Sequence, residues 1–99
     1  MEFVVVVTFN TTLDIHSEVY QLLDEYIDSF LRHQPGFIDS RLNESEDGEG
    51  FLHFARWQKE SDFRTFADKA KDHPLLPAIR KLDASAAFYH TAKHYVPQN

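Results

Sequence analysis

The chain has 99 residues, a formal net charge of −6 and no cysteine. That length holds one domain and leaves little room for two. The acidic balance, with no basic run longer than two residues, argues against nucleic acid or an anionic membrane surface as a partner. Without cysteine there are no disulfides, thiolate metal ligands or cysteine nucleophile, and a reducing cytoplasmic home is the expectation.

Residues 3–9, Phe-Val-Val-Val-Val-Thr-Phe, are β-branched or aromatic throughout and predict a first strand. Both its faces are apolar, with Phe3, Val5, Val7 and Phe9 on one and Val4 and Val6 on the other. The run is too short to span a bilayer and lacks the basic flank and cleavage site of a signal peptide. Ile15, Val19, Leu22, Leu23, Tyr26, Ile27, Phe30 and Leu31 then recur at helical spacing and form one stripe. Thr12 or Asp14 would cap that helix, and Pro35 and Gly36 would end it. Its charged residues Glu18, Asp24, Glu25 and Asp28 read as a solvated face.

Residues 37–43 predict a second strand, residues 44–50 a turn with Asp47 and Gly48 at its tip, and residues 51–58 the returning strand. Ser61 would cap a second helix that turns Phe63, Phe66, Ala67 and Ala70 inward. Pro74 would open a further helical turn carrying Leu75, Leu76, Ile79 and Leu82. Residues 84–96 would close the chain as a last strand.

The order βαββαβ predicts an α+β, ferredoxin-like fold: an antiparallel four-stranded sheet with helices on one face. Two helices cover one face, yet the strands are apolar on both. The other face would be a large apolar patch, which soluble monomers avoid. A second copy packed sheet to sheet solves this, so a homodimer is expected. The nine Phe, four Tyr and one Trp are many rings for the modest core of so short a chain, and the excess suggests a partner surface or a ligand cavity.

His53, Ala55 and Trp57 alternate along the third strand and share a face. A core strand would fill the gap at Ala55 with a larger group. The pattern fits a cavity with an aromatic wall and a polar handle. It also fits a packing tryptophan beside a histidine bonded to a backbone carbonyl. No metal constellation emerges from the six histidines: His90 and His94, on one face of the last strand, would stand roughly 13 Å apart. His33 would meet the C-terminal end of the first helix dipole. Asn10, before Thr11 and Thr12, reads locally as a turn or cap residue.

Residues 34–66 carry a Pro35-Gly36-Phe37 entry to a strand, the polar Asp47-Gly48 hairpin, and a strand ending in Ala55-Arg56-Trp57. This pattern resembles the antibiotic biosynthesis monooxygenase family, which also opens with a Val-rich strand and a long amphipathic helix. The resemblance implies the dimeric α+β barrel, two ferredoxin-like units paired sheet to sheet. It also implies oxidation of an anthrone- or quinol-like aromatic by O2 without flavin, haem or metal. Such a substrate can ionise and pass electrons to oxygen itself, so the protein need only bind it, help deprotonate it and shield the carbanion. By resemblance, Trp57 matches the tryptophan of the active site. His53 stands where those enzymes usually carry asparagine, and it can both hydrogen-bond a phenol oxygen and accept a proton. The family's tyrosine six residues past the tryptophan is Phe63 here.

A haem-degrading branch shares an asparagine at the end of the first strand, here Asn10. Its tryptophan on the second helix is matched by Phe66, and its histidine ligand lies further along than His73. The resemblance thus implies His53, Trp57 and Asn10 as catalytic residues, Ala55, Phe63, Phe66 and His73 as substrate-binding residues, and no metal or cofactor. The alternatives are a non-catalytic small-molecule-binding module, a haem-degrading member or an isomerase-type member. A cavity between sheet and helices that holds His53 and Trp57 would favour an oxygenase.

Overall fold

A computed structural model describes residues 1–98. The elements are β1 (Phe3–Asn10), α1 (His16–Ser29), a 3-10 turn (Leu31–His33), β2 (Phe37–Glu44), β3 (Gly50–Trp57), α2 (Glu60–Ala70), α3 (Leu76–Arg80) and β4 (Asp83–His90). The four strands form one antiparallel sheet in the order β2-β3-β1-β4. This is the ferredoxin-like arrangement expected from the sequence. β1 sits in the middle because every one of its residues finds a partner on both sides: Val5 lies opposite Ala55 of β3 and Phe88 of β4.

The helices cover the face that carries Phe3, Val5, Phe9, Phe51, Ala55 and Trp57. Val19, Leu23 and Tyr26 of α1 and Phe66 and Ala70 of α2 are buried against it. Two clusters result. One gathers Trp57, Phe3, Val5, Tyr26 and Phe66; the other gathers Phe9, Val19, Leu23 and Phe51. Val7, Ile27 and Ile79 pack against both. The opposite face carries Val4, Val6, Leu52, Phe54 and Tyr89 and no helix. Leu52, Phe54 and Tyr89 are 38%, 37% and 55% exposed there. At one end of that face Arg56 reaches β2 and the residue just before β1. It donates to Asp39 at 2.6 and 2.7 Å and to Glu2 at 2.9 and 3.1 Å. The Arg56 hydrogen bond holds the Asp39 carboxyl below its ordinary range.

Boundaries differ from the sequence reading in three elements, each for a local reason. β4 ends at His90, not at residue 96, because β1 offers no further partner: the last rung is Thr91 N–H to the Glu2 carbonyl, at 3.0 Å. His94 therefore lies beyond the strand and shares no face of it with His90. α1 has no side-chain cap; the Thr12 hydroxyl bonds to Asp14 instead, and a turn through Ile15 leads into the helix. α2 starts one residue before Ser61, with extended Lys59 as its flanking residue. Ser61 thus falls in a first turn that also holds Glu60 and Asp62, whose charges suit the helix N-terminus. At the end of α1, His33 Nε2 bonds to the Asp28 carbonyl at 2.9 Å, which fits its expected place.

Among the described residues, Gly36 and Gly48 are the two with positive φ. Gly48 turns the hairpin tip. At Gly36 (φ 84°) a side chain would also collide with Asp62, so glycine lets the β2 entry pack against α2.

Candidate active site

The covered face is not filled. A cavity of about 570 Å³ lies between the sheet and the helices. Its floor is Val5, Val7, His53, Ala55 and Trp57, and Tyr26, Phe63 and Phe66 line it from the helices. The volume falls in the range of small-molecule sites, and the predominantly apolar lining is also usual for them. Ala55 is the reason for the hollow in the middle of the sheet. Its neighbours across the strands are Val5 and Ser40, so the position carries one methyl group where a larger side chain would reach the helices. Ala84 and Ala86 of β4 line the cavity too and remain exposed, so the hollow opens toward that edge.

Trp57 is 1% exposed and forms the wall. Phe37 and Phe63 meet its ring edge-on, with centroids 5.5 and 5.8 Å away, and Phe66 lies 5.3 Å away. These contacts fix the indole plane. His53 is 8% exposed, and its Nε2 has no hydrogen-bond partner. A buried polar atom without a partner is costly, which makes it a strong candidate for a ligand contact. Burial pushes the imidazole from its ordinary 6.5 to about 4. It is therefore neutral at pH 7, with one ring nitrogen able to donate and one able to accept.

His53, Ala55, Trp57, Phe63 and Phe66 are thus brought together around one space. Asn10 and His73 are not. Asn10 is exposed at the end of β1 and donates from Nδ2 to Asp83 at 3.0 Å, tying β1 to β4. The His73 ring packs 4.4 Å from Phe30 and 5.1 Å from Tyr26, and its Nδ1 accepts the Leu75 N–H at 3.1 Å. It shapes the turn between α2 and α3.

Two polar lining residues escaped the sequence reading, Tyr26 and Arg80. Tyr26 stood in the apolar stripe of α1, where its hydroxyl was the available signal. Arg80 ends the short helix expected after Pro74, but only that helix's apolar residues were singled out by the sequence. Among the described residues no three His, Asp or Glu side chains converge as metal ligands, and no helix is long and apolar enough to cross a membrane.

A ferredoxin-like sheet with an aromatic-walled hollow beneath its helices is a scaffold that does not by itself fix a function. The sequence profile of the antibiotic biosynthesis monooxygenase family matches residues 2–71, and the chain belongs to that family. It is 32% identical over 92 residues to the tetracenomycin-F1 monooxygenase of Streptomyces glaucescens, a match spanning 93% of this chain and 82% of that protein. Among solved structures it resembles a variant of SnoaB, a cofactor-independent oxygenase from Streptomyces nogalater. The TM-score is 0.84 at 21% identity, over 98% of each chain. It also resembles a monooxygenase from the gene ActVA-Orf6 of Streptomyces coelicolor, solved with nanaomycin D. Here the TM-score is 0.79 at 25% identity, over 97% of this chain and 92% of that one.

Proposed function

We propose that the chain is a cofactor-independent monooxygenase that oxidises an anthrone- or quinol-like aromatic with O2. The observation that carries this reading is an apolar, aromatic-walled cavity lined by His53, a buried histidine whose Nε2 has no hydrogen-bond partner. The relationship to tetracenomycin-F1 monooxygenase supports the reaction class, and the neighbour's bound nanaomycin D supports a small-molecule ligand.

In this reading the substrate ring lies along Trp57 and above Ala55, and Phe63 and Phe66 exclude water. His53 accepts the proton from the acidic C–H of an anthrone, and the electron pair spreads over the ring system. The carbanion's charge compensates the new imidazolium, an attraction that is strong where water is absent. The carbanion then gives its electrons to O2. One oxygen atom becomes the quinone oxygen and the other leaves as water, so the CH2 group ends as C=O. The chain works as one domain across residues 1–99, paired with a second copy through the bare sheet face.

The low proton affinity of His53 favours a second reading, a non-catalytic binding module. Oxygen uptake on a panel of anthrones and hydroquinones, with no cofactor added, separates the two. An oxygenase consumes oxygen with the protein well above the spontaneous rate, and His53→Ala lowers that rate by about 10²–10⁴-fold. Saturable binding with no uptake on any panel member would leave the module.

A further inference from the structure

Tyr26 is 9% exposed, and its ring is held on α1 by Phe30 at 5.6 Å, Phe66 at 6.4 Å and His73 at 5.1 Å between centroids. Packing alone would be served by phenylalanine. Yet the residue carries a hydroxyl, lines the cavity, and is the one hydroxyl-bearing side chain among those that do. That hydroxyl has no hydrogen-bond partner among the described residues, and burial pushes it up to about 12, so it stays protonated across the neutral range. A buried tyrosine usually gives its O–H a partner. A ligand in the cavity that Tyr26 lines would supply one.

His53 approaches the same space from β3, on the opposite wall. The cavity is therefore lined by a neutral imidazole from the sheet and by a protonated phenol from the helix layer. A planar substrate that gives up a proton on one side and gathers negative charge on an oxygen elsewhere would use both. Arg80, the charged residue of the lining, is exposed at the end of α3, where water screens it.

We propose that Tyr26 is a further catalytic residue: its O–H donates to the substrate carbonyl oxygen that becomes an enolate oxygen when His53 takes the proton. This rests on the function proposed above. The step balances without an oxidant. The C–H bond breaks, the proton goes to the imidazole, and the electron pair shifts through the ring to the oxygen that Tyr26 faces. The substrate class follows: an enolisable aromatic ketone whose oxygen lies across the ring system from the acidic carbon.

The test is Tyr26→Phe, which removes the hydroxyl and keeps the ring. With an anthrone as substrate, kcat should fall by about 10²-fold, the usual cost of losing one oxyanion donor. A second readout needs no turnover. A hydroxyanthraquinone changes colour when it ionises, so its ionisation in the complex is followed by absorbance. Bound to the wild type it should ionise at lower pH than when bound to Tyr26→Phe, by about one unit or more. Unchanged kcat with unchanged ionisation of the bound probe overturns the role of Tyr26 while leaving the oxygenase reading intact. A wild type that binds the probe but consumes no oxygen defeats that reading, and the ionisation difference still decides Tyr26. A wild type that neither binds the probe nor consumes oxygen defeats both.

Discussion

The two faces of the sheet are incomplete in opposite ways. The face under the helices has a cover but lacks filling: Ala55, Ala84 and Ala86 leave a cavity of about 570 Å³. The bare face has filling but lacks a cover: Leu52, Phe54 and Tyr89 present large side chains and no helix meets them. The same strands build both, because alternate residues point to opposite sides. Along β3, Phe54 looks outward between the inward His53 and Ala55. The sheet thus separates two tasks. One side holds space for a small molecule, and the other offers area to a large apolar partner, for which a second copy is our proposal.

Charges placed on adjacent residues of β1 break this contrast most sharply. Val5 is buried under the helices and Val6 faces the bare side. Val5→Asp leaves an unpaired carboxylate in the core, costs several kcal/mol and should abolish folding, seen as loss of the near-ultraviolet circular dichroism of the aromatic core. Val6→Asp should leave the chain folded and reduce the scattering mass from two chains to one. Equal damage from both would mean that the faces do not differ as described.

The imidazole gives the next effect. Folded His53 resists protonation down to about 4, while in the unfolded chain it titrates near 6.5. Stability is therefore full above pH 6.5 and is lost as the pH falls toward 4, by about 3 kcal/mol in all. His53→Gln should remove this part of the pH dependence. Urea unfolding of both proteins at pH 7 and pH 4.5 checks it; parallel losses would show that His53 is not held neutral by burial. Smaller still is Phe54→Ala. It should change the stability of an isolated chain by under about 1 kcal/mol, since the ring is already partly in water, yet weaken self-association measured by sedimentation.

The succession of strands and helices along the chain, the hairpin and the long helix were legible in the sequence because each rests on local pattern. The β-branched run of residues 3–9, Asp47-Gly48 and the stripe from Val19 to Leu31 carry their own periods. The end of β4 was not, because residues 91–96 have strand-like side chains and only the length of β1 stops them. Neither were the helix caps, where backbone turns through Ile15 and Lys59 take the place expected of Thr12, Asp14 and Ser61. Of the candidate site, the His53, Ala55 and Trp57 face was visible as a gap in size along one strand. Asn10 and His73 were grouped with it on resemblance, whereas geometry ties one to Asp83 and the other to a turn. Tyr26 was hidden because a cavity-lining tyrosine and a core tyrosine occupy the same stripe.

Trp57 tests the central claim, that the hollow above Ala55 receives the ligand. It is the only tryptophan of the chain and forms the cavity wall, so an aromatic bound there must change its fluorescence. Titration of the wild type with a hydroxyanthraquinone should quench Trp57 saturably, with one equivalent per chain. Ala55→Leu fills the space, so it should keep the native emission and the native fold while losing the saturable quenching. Saturable quenching that survives Ala55→Leu unchanged would contradict the account, because the ligand would then sit elsewhere.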